Sequence, residues 1–234
     1  MKTSSRIYMI PSFLDDEAIH TIPIYVQDVL KQCQVLFVEN ERSARRFLKA
    51  LDKTITIDQF EWITIHKKEE EAGEILRRKI TEGKIIGIIS EAGCPGIADP
   101  GQLLASIAQD MKVPVVPLVG PNSILLALMA SGMNGQIFRF VGYLPIDQAG
   151  RQQKIRELEM DSVKSGSTQI FIETPYRNNQ LIEAILKTCK PNTRLCIAVN
   201  ITGNKEKIQT QRISEWKKNL PDIQKEPAIF LLQA

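Results

Sequence analysis

The segment that most constrains this chain is Ile85-Ile86-Gly87-Ile88-Ile89 running directly into Ser90-Glu91-Ala92-Gly93-Cys94-Pro95-Gly96-Ile97-Ala98-Asp99-Pro100-Gly101. A near-continuous apolar run reads as a strand buried on both faces, the environment of a parallel sheet covered by helices. Three glycines and two prolines in the nine residues from Gly93 to Gly101 then impose an unusual backbone path. Glycine admits left-handed dihedrals and close approach, and proline fixes φ. In parallel α/β sheets, ligands bind just outside the carboxyl ends of the strands. The segment therefore reads as a ligand loop, with a plain tight turn as the simpler alternative. No Gly-Lys-Ser/Thr follows, and the glycine spacing is not that of a dinucleotide fingerprint.

The flanking pattern agrees. Stretches 6–10, 34–39, 85–90 and 114–119 read as strands, and 22–31, 41–51, 69–82 and 102–110 as helices. Such alternation predicts βαβ units and a parallel sheet. From Ile137 the pattern changes. Strands are expected at 137–143, 169–173, 194–199, 207–213 and 228–232, with fewer helices between them. The last three lie close together in sequence, which predicts antiparallel pairing and a mixed α+β sheet. A chain of 234 residues suits two domains. The shift near Pro117–Gly120 divides it into 1–117 and 118–234.

Composition narrows the function classes. Met1 to Arg6 is polar, so no secretory leader is expected, and no apolar run reaches the length of a membrane helix. Cys33, Cys94, Cys189 and Cys196 lack metal-type spacing; Cys33 and Cys196 read as buried free thiols, which places the protein in a reducing cytoplasm. With only His20 and His66, no metal site is expected. A net charge of +3 alone predicts no nucleic-acid partner. However, Arg42, Arg45, Arg46 and Lys49 share one helix face opposite Ala44, Phe47, Leu48 and Leu51. That face reads either as a solvated surface or as a stripe that tracks phosphates.

Two further segments end in chemistry. Val119-Gly120-Pro121-Asn122-Ser123-Ile124 follows a strand and leads into an apolar helix at 125–130, which Asn122 or Ser123 is placed to cap. Phe171-Ile172-Glu173-Thr174-Pro175-Tyr176-Arg177 ends a buried strand in a carboxylate, an aromatic ring and a guanidinium. An adjacent Glu and Arg are often a plain surface pair; at a strand's carboxyl end they are better functional candidates.

Together these segments resemble the tetrapyrrole methylase superfamily, and within it the bacterial branch that methylates the ribose 2′-hydroxyl of a cytidine in small-subunit ribosomal RNA. Leu36-Phe37-Val38-Glu39 with Asn40-Glu41-Arg42 is similar to that branch's acidic-Arg motif. The segment from Ser90 to Gly101 is similar to its most specific motif, with Glu91 for the usual Asp and Cys94 for the usual Thr. Ser131-Gly132, Phe140-Val141-Gly142-Tyr143-Leu144-Pro145 with Arg151, and Glu173-Thr174-Pro175-Tyr176-Arg177 also fit.

The resemblance implies a methyltransferase of two α/β domains, a parallel-sheet N-terminal one and a mixed-sheet C-terminal one, with S-adenosylmethionine in the cleft between them. It implies cofactor contacts at Pro11, Glu91, Ala92, Gly93, Cys94, Ile97, Ser123, Ile124, Ile172, Val199 and Ala228, and a homodimer. Ribosomal RNA or the small ribosomal subunit would be the partner, met by Arg42, Arg45, Arg46, Lys49 and Arg177. Three stretches depart from the pattern. Met9-Ile10-Pro11-Ser12-Phe13-Leu14 lacks the usual glycines. Ile65-His66-Lys67-Lys68-Glu69 keeps only His66 of a His-rich motif. Asn200-Ile201-Thr202-Gly203 replaces a Glu-Leu-Thr-Lys motif.

Methyl transfer to a ribose hydroxyl gains from a positioned base. Glu39, Glu173 and His66 are the catalytic candidates, with Glu41 a further carboxylate. Two other readings are a small-molecule methylase acting on a tetrapyrrole precursor, and a paralogue that binds cofactor or RNA without catalysis.

Overall fold

In the computed structural model, residues 5–65 and 69–234 are described. The chain divides into two compact units, Met1–Asn122 and Ser123–Ala234.

The first unit is built on a five-stranded sheet of order β3-β2-β4-β1-β5, with β1 Arg6–Ile10, β2 Val35–Val38, β3 Glu61–Thr64, β4 Ile85–Ile89 and β5 Val115–Pro117. All its pairings are parallel. Helices α1 Tyr25–Gln32, α2 Glu41–Leu51, α3 Glu69–Thr81 and α4 Gln102–Asp110 connect the strands. Both sheet faces are covered, which is why β2 and β4 are apolar at every position. One face packs Leu36, Val38 and Ile89 with Leu30, Phe47 and Leu48. The other packs Phe37, Ile86 and Ile88 with Leu76 and Leu104. Gly87 sits where a Cβ would meet the terminal methyls of Ile10 and Leu36 at 2.7 Å each, so a larger residue at this central position would force both side chains to shift.

Strand β3 is not among the strands expected from sequence. It has four residues, Glu-Trp-Ile-Thr, at the edge beside β2; Trp, Ile and Thr favour a strand, but the run is only half-buried and lacks the continuous apolar pattern of its neighbour.

The second unit carries a sheet of order β6-β7-β10-β8-β9, with β6 Phe138–Tyr143, β7 Thr168–Ile172, β8 Arg194–Val199, β9 Lys207–Arg212 and β10 Ala228–Gln233. Only β6 with β7 is parallel; β7–β10, β10–β8 and β8–β9 are antiparallel. The sheet is therefore mixed, as the spacing of its last three strands predicts. The helices are α5 Ser123–Ser131, α6 Gln148–Ser165, α7 Asn178–Thr188 and α8 Ile213–Trp216. The expectation of fewer helices here is corrected by α6 and α7. Helix α6 escapes an apolar-periodicity test because several of its buried positions are polar. Arg151 donates to the carbonyls of Pro145 (3.1 Å) and Ile146 (2.6 Å), and Glu159 accepts from the Lys190 N–H at 2.8 Å.

Cys33, Cys189 and Cys196 are buried free thiols and Cys94 is half-buried. Among the described residues, no helix is long and apolar enough to cross a membrane.

Candidate functional site

Three loops meet at the carboxyl edge of the first sheet. Ser12, just past β1, forms an antiparallel bridge with Gly93, past β4: Ser12 N–H donates to Gly93 O at 2.9 Å and Gly93 N–H to Ser12 O at 3.1 Å. The Ser12 hydroxyl donates to Ser90 O (2.9 Å) and the Ser90 hydroxyl to Gly93 O (3.0 Å). Gly93 has φ +75°, and a Cβ there would lie 3.2 Å from Leu14 and 3.5 Å from Pro121 O. The loop after β5 joins them. A Cβ on Gly120 would lie 2.3 Å from the Pro11 ring carbons Cβ and Cγ, and the Cys94 thiol donates to Pro121 O at 3.5 Å. Pro11, Gly93 and Cys94 are thus brought together. Glu91, Ala92 and Ile97 extend the same loop as exposed residues.

Beside this junction lies a cavity of about 240 Å³, lined by residues of β1, β2 and β4 ends and of α2. Glu39, directly after β2, and Glu91 stand on it. Burial, then the Glu91 charge, raises the Glu39 carboxyl above its ordinary range, and the Glu91 N–H partly offsets this. Asp99 belongs to the same field; burial, then the charges of Glu39 and Glu91, pushes it up to about 6. The Ser43 hydroxyl donates to Glu91 Oε1 at 2.9 Å. Sequence reasoning quoted Asp99 and Ser12 within their loops without giving either a role, and it passed over Ser43. Nothing local marks these two serines, because their partners lie 78 and 48 residues away.

Helix α2 starts under an Asn40 cap, whose side-chain oxygen accepts from Arg42 N–H (2.9 Å) and Ser43 N–H (3.4 Å). Its four cations are exposed, but three have partners inside the protein. Arg45 pairs with Glu41 and stands 5.4 Å from the Trp62 ring centre. Arg46 pairs with Asp16 at 3.0 Å, and Lys49 Nζ donates to the carbonyls of Lys53 (3.0 Å) and Ile55 (2.7 Å). Exposed pairs of this kind are worth under about 1 kcal/mol and yield readily to a polyanion. His66 lies outside the described residues.

In the second unit, register brings Ile172, Val199 and Ala228 to one sheet end: Ile229 pairs Ile172, and Ala228 pairs Val199. Ser123 and Ile124 open α5, with Ile124 buried. Glu173 is buried. Its Oε1 accepts from Arg177 Nε (3.0 Å) and Nη2 (2.7 Å) and from Thr174 N–H (2.7 Å), while its Oε2 is buried without a partner. Arg177 is thereby committed to Glu173. At the β8–β9 turn, Asn200 (φ 50°) and Thr202 (φ 71°) occupy the left-handed region without being glycine. The Thr202 hydroxyl is likewise buried and unpartnered, and Asn200 donates to Glu226 Oε2 at 2.7 Å. Asn178, also passed over in the sequence, fastens the loop before β10 by donating to Glu226 O at 2.6 Å.

This architecture recurs in solved structures. Uroporphyrin-III C-methyltransferase from Thermus thermophilus, complexed with S-adenyl homocysteine, is 17% identical with a TM-score of 0.57, covering 97% of both chains. Diphthine synthase is 11% identical with a TM-score of 0.69, covering 99% of this chain and 90% of that one. At such identities the likeness defines the fold, one found among methyltransferases. The family model described as Tetrapyrrole (Corrin/Porphyrin) Methylases matches residues 20–217, and the chain belongs to that family. Among individual relatives, ribosomal RNA small subunit methyltransferase I of Vibrio cholerae is 30% identical over 191 residues, 80% of this chain and 62% of that protein. Its namesake in Streptococcus pyogenes serotype M6 is 29% identical over 217 residues, 92% of this chain and 71% of that one. The chain spans 62%, 52% and 64% of the lengths of three such relatives.

Proposed function

We propose that this chain is an S-adenosylmethionine-dependent methyltransferase that acts on a ribose 2′-hydroxyl in small-subunit ribosomal RNA. The observation that carries this reading is the Ser12–Gly93 junction. Two loops are tied together there by paired backbone hydrogen bonds, around a left-handed glycine at the carboxyl edge of a parallel sheet. That is where such sheets hold ligands, and family membership supplies the class of ligand.

The residues present fit the cofactor. At Gly93 a side chain would be strained at φ +75° and crowded by Leu14 at 3.2 Å, which favours a loop that presents backbone at Gly93, Cys94 and Ile97 to a ligand. In the second unit, the buried, unpartnered Glu173 Oε2 and Thr202 hydroxyl are polar atoms that call for a donor or acceptor from outside the protein. Ser123, Ile124, Ile172, Val199 and Ala228 carry the contacts the resemblance implies there. Bound S-adenosylmethionine supplies a methyl group already activated by its sulfonium charge. The chain's own contribution is positioning, worth roughly 7–11 kcal/mol for a well-oriented pair. Of the catalytic candidates, Glu39 stands on the cavity where a substrate reaches it, whereas Glu173 is engaged by Arg177. The exposed cations of α2 supply phosphate contacts.

A tetrapyrrole precursor is a poorer match as substrate. It carries many carboxylates, and the cavity already presents Glu39, Glu91 and Asp16. Four free thiols suit a reducing cytoplasm. Exposed apolar Phe138 and Tyr143 on the edge strand β6, with Met160 and Val163 on α6, support self-association into a homodimer.

The test is to incubate the purified protein with small ribosomal subunits and isotope-labelled S-adenosylmethionine, and to map the RNA by mass spectrometry. Label on a ribose is the expected result; label nowhere on the RNA overturns the reading.

A further inference from the structure

The end of the second sheet away from Val199 and Ala228 gathers positive charge that the fold does not answer. From Thr188 to Lys218 the chain carries seven cations against two carboxylates, Glu206 and Glu215. Register sets Arg194 of β8 directly opposite Arg212 of the edge strand β9. Like charges so placed destabilise a strand pair. Arg194 turns to the Gly132 carbonyl, to which two of its nitrogens donate at 3.2 Å each, while Arg212 stays exposed. Helix α8 brings Lys217 and Lys218 to the same place. The Ile213 N–H donates to Thr193 O (2.9 Å), the Ser214 N–H to Pro191 O (3.1 Å) and the buried Trp216 Nε1–H to Leu195 O (2.9 Å). Burial, then Glu159, raises the Cys189 thiol and the Lys217 charge opposes them, so Lys217 stands beside the turn that carries the exposed Lys190.

These cations differ from those of α2. The ion pairs of the second unit are Arg139–Asp161, Lys154–Glu157 and Arg177–Glu173, which leaves Lys190, Arg212, Lys217 and Lys218 unpaired among the described residues. Arg45 and Arg46 must leave a carboxylate to meet a phosphate; the second-unit cations need not. Spread over a strand end, a short helix and a turn, they suit a chain of spaced charges better than one small anion. The aromatic ring at this place, Trp216, is buried, which withholds the kind of anchor that protein partners favour.

We propose that Lys190, Arg212, Lys217 and Lys218 form a docking surface for the phosphate backbone of the RNA substrate. The proposal rests on the RNA methyltransferase reading and adds to it a contact surface on the second unit. Each phosphate that such a surface neutralises releases counterions, so its contacts are counted by the salt dependence of binding.

The test follows a short fluorescein-labelled single-stranded RNA by anisotropy across a salt series, with S-adenosylhomocysteine titrated separately by calorimetry. Arg212→Glu with Lys217→Glu and Lys218→Glu should weaken RNA binding at least about tenfold and flatten its salt dependence by about 2.1 log units per decade, three contacts at roughly 0.7 each. S-Adenosylhomocysteine affinity should stay unchanged. Lys217→Ala with Lys218→Ala, which removes charge without reversing it, should flatten the slope by about 1.4; it decides the matter if the triple variant has lost its fold by circular dichroism. An unchanged slope in a folded variant overturns the surface and leaves the RNA reading standing. So does a folded variant that loses S-adenosylhomocysteine affinity in place of the slope. Polyglutamate that binds the wild type more tightly than the RNA overturns the proposal by giving the surface to an acidic protein. If the wild type binds S-adenosylhomocysteine but no RNA, the RNA reading falls with it.

Discussion

The carboxyl edge of the first sheet and the corresponding end of the second solve the same problem by different means. In the first unit, the left-handed backbone of the 90–101 loop falls mostly on glycine, Gly93 at +75°, Gly96 at +78° and Gly101 at +118°, with Ala98 at 63° the exception. In the second, the left-handed positions of the β8–β9 turn are Asn200 and Thr202, and Lys225 before β10 is a third. Glycine takes such dihedrals at little cost, whereas a β-branched residue like Thr202 is strained there and persists only when its surroundings hold it. The holding is visible. Thr202 N–H donates to Glu206 Oε2 at 2.7 Å, and Asn200, Glu226 and Asn178 form a chain of hydrogen bonds behind the turn. The first edge thus relies more on local backbone freedom and the second more on tertiary contacts.

The sharpest way to break this comparison is Gly93→Val. The side chain would be strained at φ +75° and would press on Leu14 and Pro121. S-Adenosylhomocysteine affinity by calorimetry should fall at least about a hundredfold, near 3 kcal/mol. Gly93→Ala serves as the milder companion if the Val variant folds poorly by circular dichroism. A folded Val variant with normal affinity would remove the loop from the cofactor's contacts.

That difference also decides what could be read from the sequence. Glycine and proline are visible as letters, so the 90–101 loop and its strand stand out at once. Glu39 and Glu91 were both legible, one as the end of a strand and the other within a motif. Their convergence on one cavity was not, because it depends on the neighbouring positions of β2 and β4 in the sheet. Helix α6 was hidden for a related reason. Arg151 and Glu159 occupy core positions that an apolar pattern would leave blank, and their satisfaction comes from distant backbone groups.

The second prediction contrasts two ion pairs. The Glu173 side chain is fully buried and Arg177 is 26% exposed, so Arg177→Ala leaves a buried carboxylate uncompensated. Urea denaturation should show a loss of about 3 kcal/mol. Arg46→Ala, which breaks an exposed pair with Asp16, should cost under about 1 kcal/mol. Equal losses would mean that the two ends are held alike.

A smaller effect is expected of the α2 stripe. Arg45→Glu with Arg46→Glu should weaken RNA binding and flatten its salt dependence by about 1.4 log units per decade, two contacts at roughly 0.7 each for a single strand. S-Adenosylhomocysteine affinity should stay unchanged, since the stripe lies on the helix and not on the loop. An unaltered salt slope would assign these cations to their internal partners alone.

The smallest effect concerns pH. Asp99 is raised from 3.8 to about 6 in the folded protein. Between those values the folded state binds more protons than the unfolded state, so stability contributed by this group declines as pH rises through the window. Asp99→Asn should remove that decline in urea denaturation followed across the same range. An identical pH profile in the variant would show that burial and the neighbouring carboxylates do not raise Asp99 in the folded protein.

The central claim, that this family member binds the methyl donor through its first-unit loop, is tested most directly by calorimetric titration of S-adenosylhomocysteine into the wild-type protein. The account predicts saturable heat with micromolar affinity, about −8 kcal/mol. No heat up to millimolar ligand would contradict it.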